Sequence, residues 1–225
     1  MIYLMSDCHF NHKRIGEYCN RPKNWQDLII SNCQEIVKPE DTVVNLGDFG
    51  FGPVEALREI REQLPGDLVM VEGNHDFGKY CKKNHLENLG ADVVLRKHGD
   101  GLTINDSDYP ATFVCIRGSK RGPLPKDPRP EGDVTTIALS HWPCPGIRWP
   151  YFYGHVHNNP LAWDDQYKPY PLGKIQGRCL CVEVINYLPV PLPALLHDER
   201  WLEDNWEDYF RHFFKLDHPS DARSK

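Results

Sequence analysis

Five apolar segments of this chain each stop abruptly at a short polar motif rich in Asp, His and Asn. A buried parallel strand has this form when it ends in a functional site instead of a surface turn. In open α/β sheets, ligands bind outside the carboxyl ends of the strands, so five such ends bring their polar residues to one rim. The five segments and their motifs are Ile2–Met5 with Ser6-Asp7-Cys8-His9, Thr42–Leu46 with Gly47-Asp48, Leu68–Val71 with Glu72-Gly73-Asn74-His75-Asp76, Ile137–Ser140 with His141, and Tyr151–Tyr153 with Gly154-His155-Val156-His157.

The length of 225 residues allows one sizeable α/β domain with a real core. No uncharged apolar stretch approaches the roughly 20 residues that a membrane span needs. The first strand begins at Ile2, which leaves no room for a signal peptide. We therefore expect a cytoplasmic protein with no membrane partner.

The eight cysteines form no CxxC pair, and several lie in apolar runs. In a reducing compartment this pattern predicts free thiols, and it favours structural zinc or disulfides less. The net charge of -6 argues against a general nucleic-acid coating function, because that function needs many Lys and Arg side chains. A nuclease with a local basic patch is compatible with this charge.

Helical periodicity predicts three helices in the first half of the chain. The first follows Asn24 as N-cap, has an apolar stripe from Trp25 to Ile36, and is broken by Lys38-Pro39-Glu40-Asp41. The second opens at Gly52-Pro53 and continues through Leu64, and the third runs from about Lys79 to Leu89, where Gly90 ends it. Alternation of strand, site loop, helix and strand is typical of βαβ units.

The second half predicts short strands at Val93–Leu95, Leu102–Ile104 and Thr112–Ile116, whose separating turn residues favour antiparallel pairing in a second sheet. Residues 117–133 are rich in Pro, Gly and basic side chains and predict a long exposed loop. Cys179–Ile185 has strand composition. We divide the chain into a domain over 1–197 and an acidic, aromatic helical appendage over 198–225, which we expect to pack on its own domain rather than on a partner.

The polar motifs contain a mixed oxygen and nitrogen ligand set. Asp7 and His9 are two residues apart, and so are His155 and His157, which places each pair on one side of an extended segment. Asp and Asn at strand ends can serve as simple caps, and a single buried His is usually a core residue. The joint occurrence of seven such residues favours a metal site suited to Mn, Fe, Zn or Ni. The full set is Asp7, His9, Asp48, Asn74, His141, His155 and His157.

In order along the chain, these motifs resemble the five motifs of the calcineurin-like metallophosphoesterases. The resemblance extends from Met1 to about residue 192, and the opening Asp7-x-His9-Phe10-x-His12 resembles a small bacterial and phage branch of that superfamily. It implies a four-layer α/β/β/α sandwich of two mixed β-sheets flanked by helices. The first half of the chain and the strands after Val93 supply the two inner sheets.

The resemblance also implies a two-metal centre. Asp7, His9 and His157 hold one metal, and Asn74, His141 and His155 hold the other. Asp48 bridges both. Two such metals can share a hydroxide that attacks phosphorus in line, which hydrolyses a phosphoester without a covalent enzyme intermediate.

The family assigns phosphate contact and protonation of the leaving group to the position of His75, a role that suits imidazole. Many members carry an acidic residue three positions after the bridging Asp to orient this histidine, whereas this chain has Phe51. His12 and Asn74 are further candidates for substrate contact. Asp76 is interpreted as a cap of the next helix, and the basic loop as a solvated segment.

The combined prediction is a binuclear metal-dependent hydrolase of phosphodiesters or phosphomonoesters, acting on a phosphorylated small molecule or nucleotide. Nucleic acid is a possible but less favoured substrate for the same chemistry. A non-catalytic binding scaffold on the same fold would also account for the motifs. A structural metalloprotein is less favoured, because the motifs lack the thiolate-rich site that structural zinc prefers. The sequence leaves the oligomeric state open.

Overall fold

The computed structural model describes residues 1–77, 84–106, 109–117, 136–144, 150–158 and 178–196. These ranges contain strands and helices that alternate in the first half of the chain and are mostly strands in the second. In chain order they are β1 (Ile2–Met5), α1 (Ile15–Cys19), α2 (Trp25–Ile36), β2 (Thr42–Asn45), α3 (Val54–Arg61), β3 (Asp67–Val71), α4 (His85–Leu89), β4 (Val93–Leu95), β5 (Gly101–Ile104), β6 (Ala111–Cys115), β7 (Thr136–Ser140), β8 (Tyr151–Tyr153), β9 (Arg178–Cys179), β10 (Val190–Pro191) and α5 (Leu192–Leu196).

The first sheet has the order β10-β1-β2-β3-β4. Strands β1 to β4 are parallel, and β10 pairs with β1 in the antiparallel direction. Helices α2 and α3 connect successive parallel strands, as the βαβ pattern predicted. The carboxyl ends of β1, β2 and β3 therefore lie at one edge of this sheet.

The second sheet has the order β5-β6-β7-β8-β9. Only β5 is antiparallel to its neighbour, and the strands from β6 to β9 are parallel. The prediction that the second sheet begins at Val93 is wrong, because β4 joins the first sheet alongside β3. Three apolar residues do not specify which neighbour they pair with. The predicted antiparallel pairing is confirmed for β5 and β6.

The two sheets share one hydrophobic core. Residues from both contribute to it, such as Leu4 and Val44 from the first and Phe113 and Leu139 from the second. Intervening residues of the second sheet, such as Ala138, belong to a separate apolar cluster. This alternation follows from the two-residue period of a strand and shows that both faces of the second sheet are apolar.

Helix α2 packs on the first sheet, where the Tyr3 hydroxyl donates a hydrogen bond to the Ile36 carbonyl at 3.3 Å. Ile29 and Cys33 of this helix are buried in the core. The predicted fold class, two mixed sheets with flanking helices, is confirmed. Within the described ranges, no helix is long and apolar enough to cross a membrane.

Several local predictions are corrected by the structure. Of Cys179–Ile185, only Cys179 lies in a strand, and the Val184 amide donates to the Cys181 carbonyl at 2.8 Å in a turn. Helix α3 ends at Arg61 instead of Leu64, and α1 was not predicted. Asn24 occupies the N-cap position of α2 without a side-chain cap hydrogen bond.

Other predictions agree with the structure or lie outside its description. Gly90 ends α4 with a φ of 105°. The described cysteines are free thiols, as expected. The start of the third predicted helix, the basic loop beyond Arg117 and the appendage over 198–225 lie outside the described residues, so the division at residue 197 stays a prediction.

Candidate metal centre

The seven predicted ligands follow the carboxyl ends of five strands, two of which belong to the second sheet. Motifs after β1, β2 and β3 supply Asp7, His9, Asp48 and Asn74, and motifs after β7 and β8 supply the remaining three histidines. The two sheets are joined here, since the Val182 amide donates to the Ser6 carbonyl at 3.0 Å. This arrangement brings together the carboxyl ends of strands from both sheets.

Left-handed backbone conformations occur at five of these seven positions. Their φ angles are 57° at Asp7, 54° at His9, 55° at Asp48, 72° at His155 and 51° at His157. A non-glycine residue adopts this conformation at a free-energy cost, although Asp, Asn and His are enriched there. It turns the chain sharply after each strand.

Glycines make room for this convergence. A Cβ on Gly47 would lie 2.6 Å from the Gly73 Cα and 2.7 Å from the His141 Nδ1, so the loops after β2 and β3 approach as closely as backbone allows. Gly154 similarly leaves space for the Ser6 and Asp7 side chains. Larger residues at these positions would push the ligands apart.

The first ligand set is organised around the two oxygens of Asp7. Oδ2 accepts hydrogen bonds from the Ser6 hydroxyl at 2.5 Å and the His155 amide at 2.8 Å, and the Cys181 thiol lies 3.4 Å away. Oδ1 lies 3.5 Å from the His9 Nε2 and 3.7 Å from the His157 Nε2. Hydrogen bonds thus occupy one oxygen and leave the other facing two imidazoles.

The second ligand set is organised around His141. Its Nδ1 lies 2.9 Å from the Leu46 carbonyl, which can only accept, so Nδ1 carries a proton. Its Nε2 lies 2.9 Å from the Asn74 Oδ1, 3.2 Å from the His155 Nδ1 and 3.4 Å from the Asp48 Oδ2. Four potential ligand atoms therefore converge.

Asp48 connects the two sets. Its Oδ2 lies 3.4 Å from the His141 Nε2 and 3.6 Å from the His9 Nε2. Its Oδ1 accepts a hydrogen bond from the His75 amide at 2.8 Å. The carboxylate is buried and held with one oxygen between the imidazoles of both sets, as a bridging ligand requires.

The residues present fit divalent cations. Asp7 Oδ1 and both ring nitrogens of His9 are buried and have no hydrogen-bond partner among the described residues. Buried polar atoms are rarely left in this state, because losing water without a replacement partner costs free energy. A cation would satisfy the Asp7 and His9 atoms that face one another.

The pKa values describe the metal-free centre. Burial, reinforced by Asp76 and opposed by His141, raises the pKa of Asp48 to about 7. Burial lowers the pKa of His9 to about 4. Burial also lowers the pKa of His157, but hydrogen bonds with Cys19 and Glu183 outweigh this effect and raise that pKa to about 11. Protons held by Asp48 and His157 would have to leave when a cation binds.

His75 lies beside the ligands and is partly exposed. Its Nε2 is 3.9 Å from the Asp48 Oδ2, and its side chain retains 28% exposure. The Phe51 ring lies 4.9 Å from the His75 ring, and the His9 ring lies 5.6 Å from it. Aromatic contacts with Phe51 and His9 therefore flank His75.

The remaining predicted residues have mixed outcomes. The His12 ring lies 4.5 Å from the Phe51 ring, at the edge of the same cluster. The start of the helix that Asp76 is predicted to cap lies outside the described residues, so this role stays a prediction. The Asp76 carboxylate accepts hydrogen bonds from the amides of Asp48, Phe49 and Gly73. The Asp76 side chain thus holds the loops after β2 and β3 together.

Two residues with buried side chains near the centre were missed. Arg21 and Glu183 form an ion pair at 2.5 Å, and Glu183 accepts from the His157 Nδ1. Glu183 is the only charged residue in the apolar run Leu180–Ile185, a signal that could have marked it. Arg21 lies in an ordinary loop sequence and gave no such signal.

Comparisons with known proteins agree with the fold. A relative from Methanocaldococcus jannaschii, described as an uncharacterized protein, is 32% identical over 202 residues, which cover 87% of this chain and 89% of the relative. A solved protein of unknown function from Aquifex aeolicus aligns with a TM-score of 0.52 at 23% identity, covering 84% of this chain and 94% of that one. It shares the fold.

A profile described as calcineurin-like phosphoesterase matches residues 1–163, a region that contains all five strand-end motifs. This family uses divalent metal ions, and the described residues include clusters that could hold them, such as Asp48 with His141 and His155. The matched region spans well over half of the sequence. The chain therefore belongs to the calcineurin-like phosphoesterase family.

Proposed function

We propose that this protein is a binuclear metal-dependent phosphoesterase that hydrolyses a phosphodiester or phosphomonoester by in-line attack. Family membership supports metal-dependent phosphoester hydrolysis in general. The observation that carries the finer proposal is the position of Asp48 Oδ2 within 3.6 Å of imidazoles from both ligand sets. A carboxylate oxygen shared by both ligand sets suits two adjacent cations better than a single cation.

In this proposal Asp7, His9 and His157 hold one ion, and Asn74, His141 and His155 hold the other. Two divalent ions would lower the pKa of a water molecule and offset negative charge on the phosphoryl oxygens. The mixed oxygen and nitrogen donors favour Mn, Fe, Zn or Ni. The hydrogen bond from His141 to Leu46 keeps its Nε2 directed at the second set.

His75 would donate a proton to the leaving-group oxygen. Its partial exposure leaves the ring open to substrate, and the Phe51 and His9 rings limit its orientations. Asn74 and His12 would contact the phosphoryl group alongside it. We expect a phosphorylated small molecule or nucleotide as substrate.

The test measures metal content and hydrolysis on one purified sample. A bis-aryl phosphodiester and an aryl phosphomonoester are each assayed with added Mn and with chelator. We expect close to two metals per chain and turnover that metal restores, and the faster ester identifies the substrate class. Bound metal without turnover on either ester would contradict the enzymatic proposal, and absence of metal binding would contradict the centre itself.

A further inference from the structure

We propose that Arg21 and Glu183 are positioning residues that fix His157, and with it the first of the two ion sites. This inference rests on the two-metal centre of the proposed function and does not require hydrolysis. The pair is buried, with the Arg21 side chain at 0% and the Glu183 side chain at 2% exposure. Neither residue would touch substrate or metal directly, so their role would be exerted through His157 and Asp7.

Glu183 controls the orientation of the His157 ring. The His157 Nδ1 lies 3.1 Å from one Glu183 oxygen and 3.2 Å from the other. A carboxylate can only accept this hydrogen bond, so Nδ1 carries the proton and Nε2 points toward Asp7 Oδ1 at 3.7 Å. Histidine ligands in metal sites commonly donate their second nitrogen to a carboxylate, which fixes both tautomer and ring orientation.

Arg21 in turn fixes Glu183 and the backbone that carries Asp7. Its Nε donates to the Glu183 Oε1 at 2.7 Å. Its Nη2 donates to the Asp7 carbonyl at 2.8 Å, and its Nη1 donates to the Cys8 carbonyl at 2.6 Å. The guanidinium also lies 4.5 Å from the Trp25 ring centroid. The rigid, planar guanidinium therefore binds both the backbone of the first motif and Glu183, the residue that orients His157 in the last motif.

This bridge matters because the first ligand set comes from both sheets. Asp7 follows β1, whereas His157 follows β8, and no single strand sets their separation. The second set has a different support, since His141 is held by the Leu46 carbonyl. Loss of the Arg21–Glu183 pair should therefore weaken one ion site selectively.

The test titrates Co²⁺ into the metal-free full-length protein, with calorimetry and visible absorption as readouts. We expect Glu183→Ala to weaken one of two sites by about 10- to 100-fold and to change its absorption bands, while the other site is unchanged. Glu183→Gln should recover part of the affinity, because its amide oxygen still accepts from the His157 Nδ1. Arg21→Lys should have an intermediate effect, since a single ammonium cannot span all three acceptors.

Asp41→Asn is the matched control, because Asp41 is also a buried carboxylate but lies just before β2, at the opposite end of that strand from the centre. We expect it to leave both affinities unchanged. Equal weakening of both sites in Glu183→Ala, or no weakening, would overturn the positioning role even if the enzyme is active. Two wild-type ions without hydrolysis would overturn the proposed function but not this role, and no wild-type binding would overturn both.

Discussion

At the scale of single residues, Asp48 has the contact that both ligand sets share. We predict that Asp48→Asn lowers metal occupancy and turnover together, with turnover falling at least about a hundredfold, because an amide cannot supply the bridging negative charge. Metal analysis and steady-state kinetics on the same preparation measure both effects. Asp67→Asn, an exposed change at the start of β3, serves as control. Full occupancy with normal turnover in Asp48→Asn would contradict the bridging role.

Substitution of His75 is expected to slow the chemical step without affecting metal binding. We predict that His75→Ala retains both metals and lowers turnover by about 10²- to 10⁴-fold, the usual range for a lost general acid. The loss should be greatest for esters with a poor leaving group, which need protonation most. Unchanged turnover, or loss of metal in this variant, would argue against the proposed role.

The pKa of His75 gives this acid role a pH dependence. Burial and the nearby His141 lower that pKa below its usual value of 6.5. The protonated form is therefore present at acidic pH and is lost as pH rises through the lowered pKa. We predict that the rate on an alkyl ester relative to an aryl ester falls as pH rises in the wild type, with its midpoint below 6.5. A flat ratio in His75→Ala would identify His75 as the titrating group.

The convergence of the candidate ligands was predicted more completely than the residues that support those ligands. The seven candidate ligands lie together because each directly follows a strand, a local pattern that can be recognised in the sequence. Their roles as ligands stay predictions. Arg21 and Glu183 are 162 positions apart, and their contact depends on how the two sheets meet. Periodicity and turn composition carry no information about such a distant pair.

At the scale of elements, close packing of the strand-end loops constrains the centre. A Cβ added to Gly73 would collide with the Asp48 carboxylate and its backbone amide nitrogen. We predict that Gly73→Ala destabilises the protein by about 1–3 kcal/mol, typical of overpacking, and also weakens metal binding. Chemical denaturation and metal titration measure the two effects. Gly101→Ala is the control, because its nearest atom, the Phe113 carbonyl oxygen, would be at an ordinary 3.5 Å.

Elements were predicted well where periodicity is long and poorly where tertiary contacts decide. Helix α2 covers the whole of the predicted apolar stripe from Trp25 to Ile36, because twelve residues give a clear helical periodicity. The run Cys179–Ile185 has the composition of a strand, yet the Val182 amide pairs with Ser6 and the chain turns at once. Strand composition describes a half-buried surface and does not require pairing over its whole length.

At the scale of the whole molecule, metal binding should be coupled to stability. Ligands that bind only the folded state stabilise it, by about 2.7 kcal/mol at a hundred times the dissociation constant. For a chain of this size we predict a rise in Tm of roughly 5–10 °C when Mn or Zn is added, reversed by chelator. Differential scanning calorimetry measures the shift. Asp48→Asn should respond much less, and an equal response in that variant would place the stabilising ions elsewhere.

The left-handed backbone at Asp7, His9, Asp48, His155 and His157 affects how this centre could be transplanted. A protein engineer who copied the seven side chains onto regular strands of another scaffold would obtain the right chemistry pointing in the wrong directions. The transferable unit is a strand end together with the sharply turned residue after it. Any host scaffold must therefore supply matching left-handed turns before the copied side chains can converge on one site.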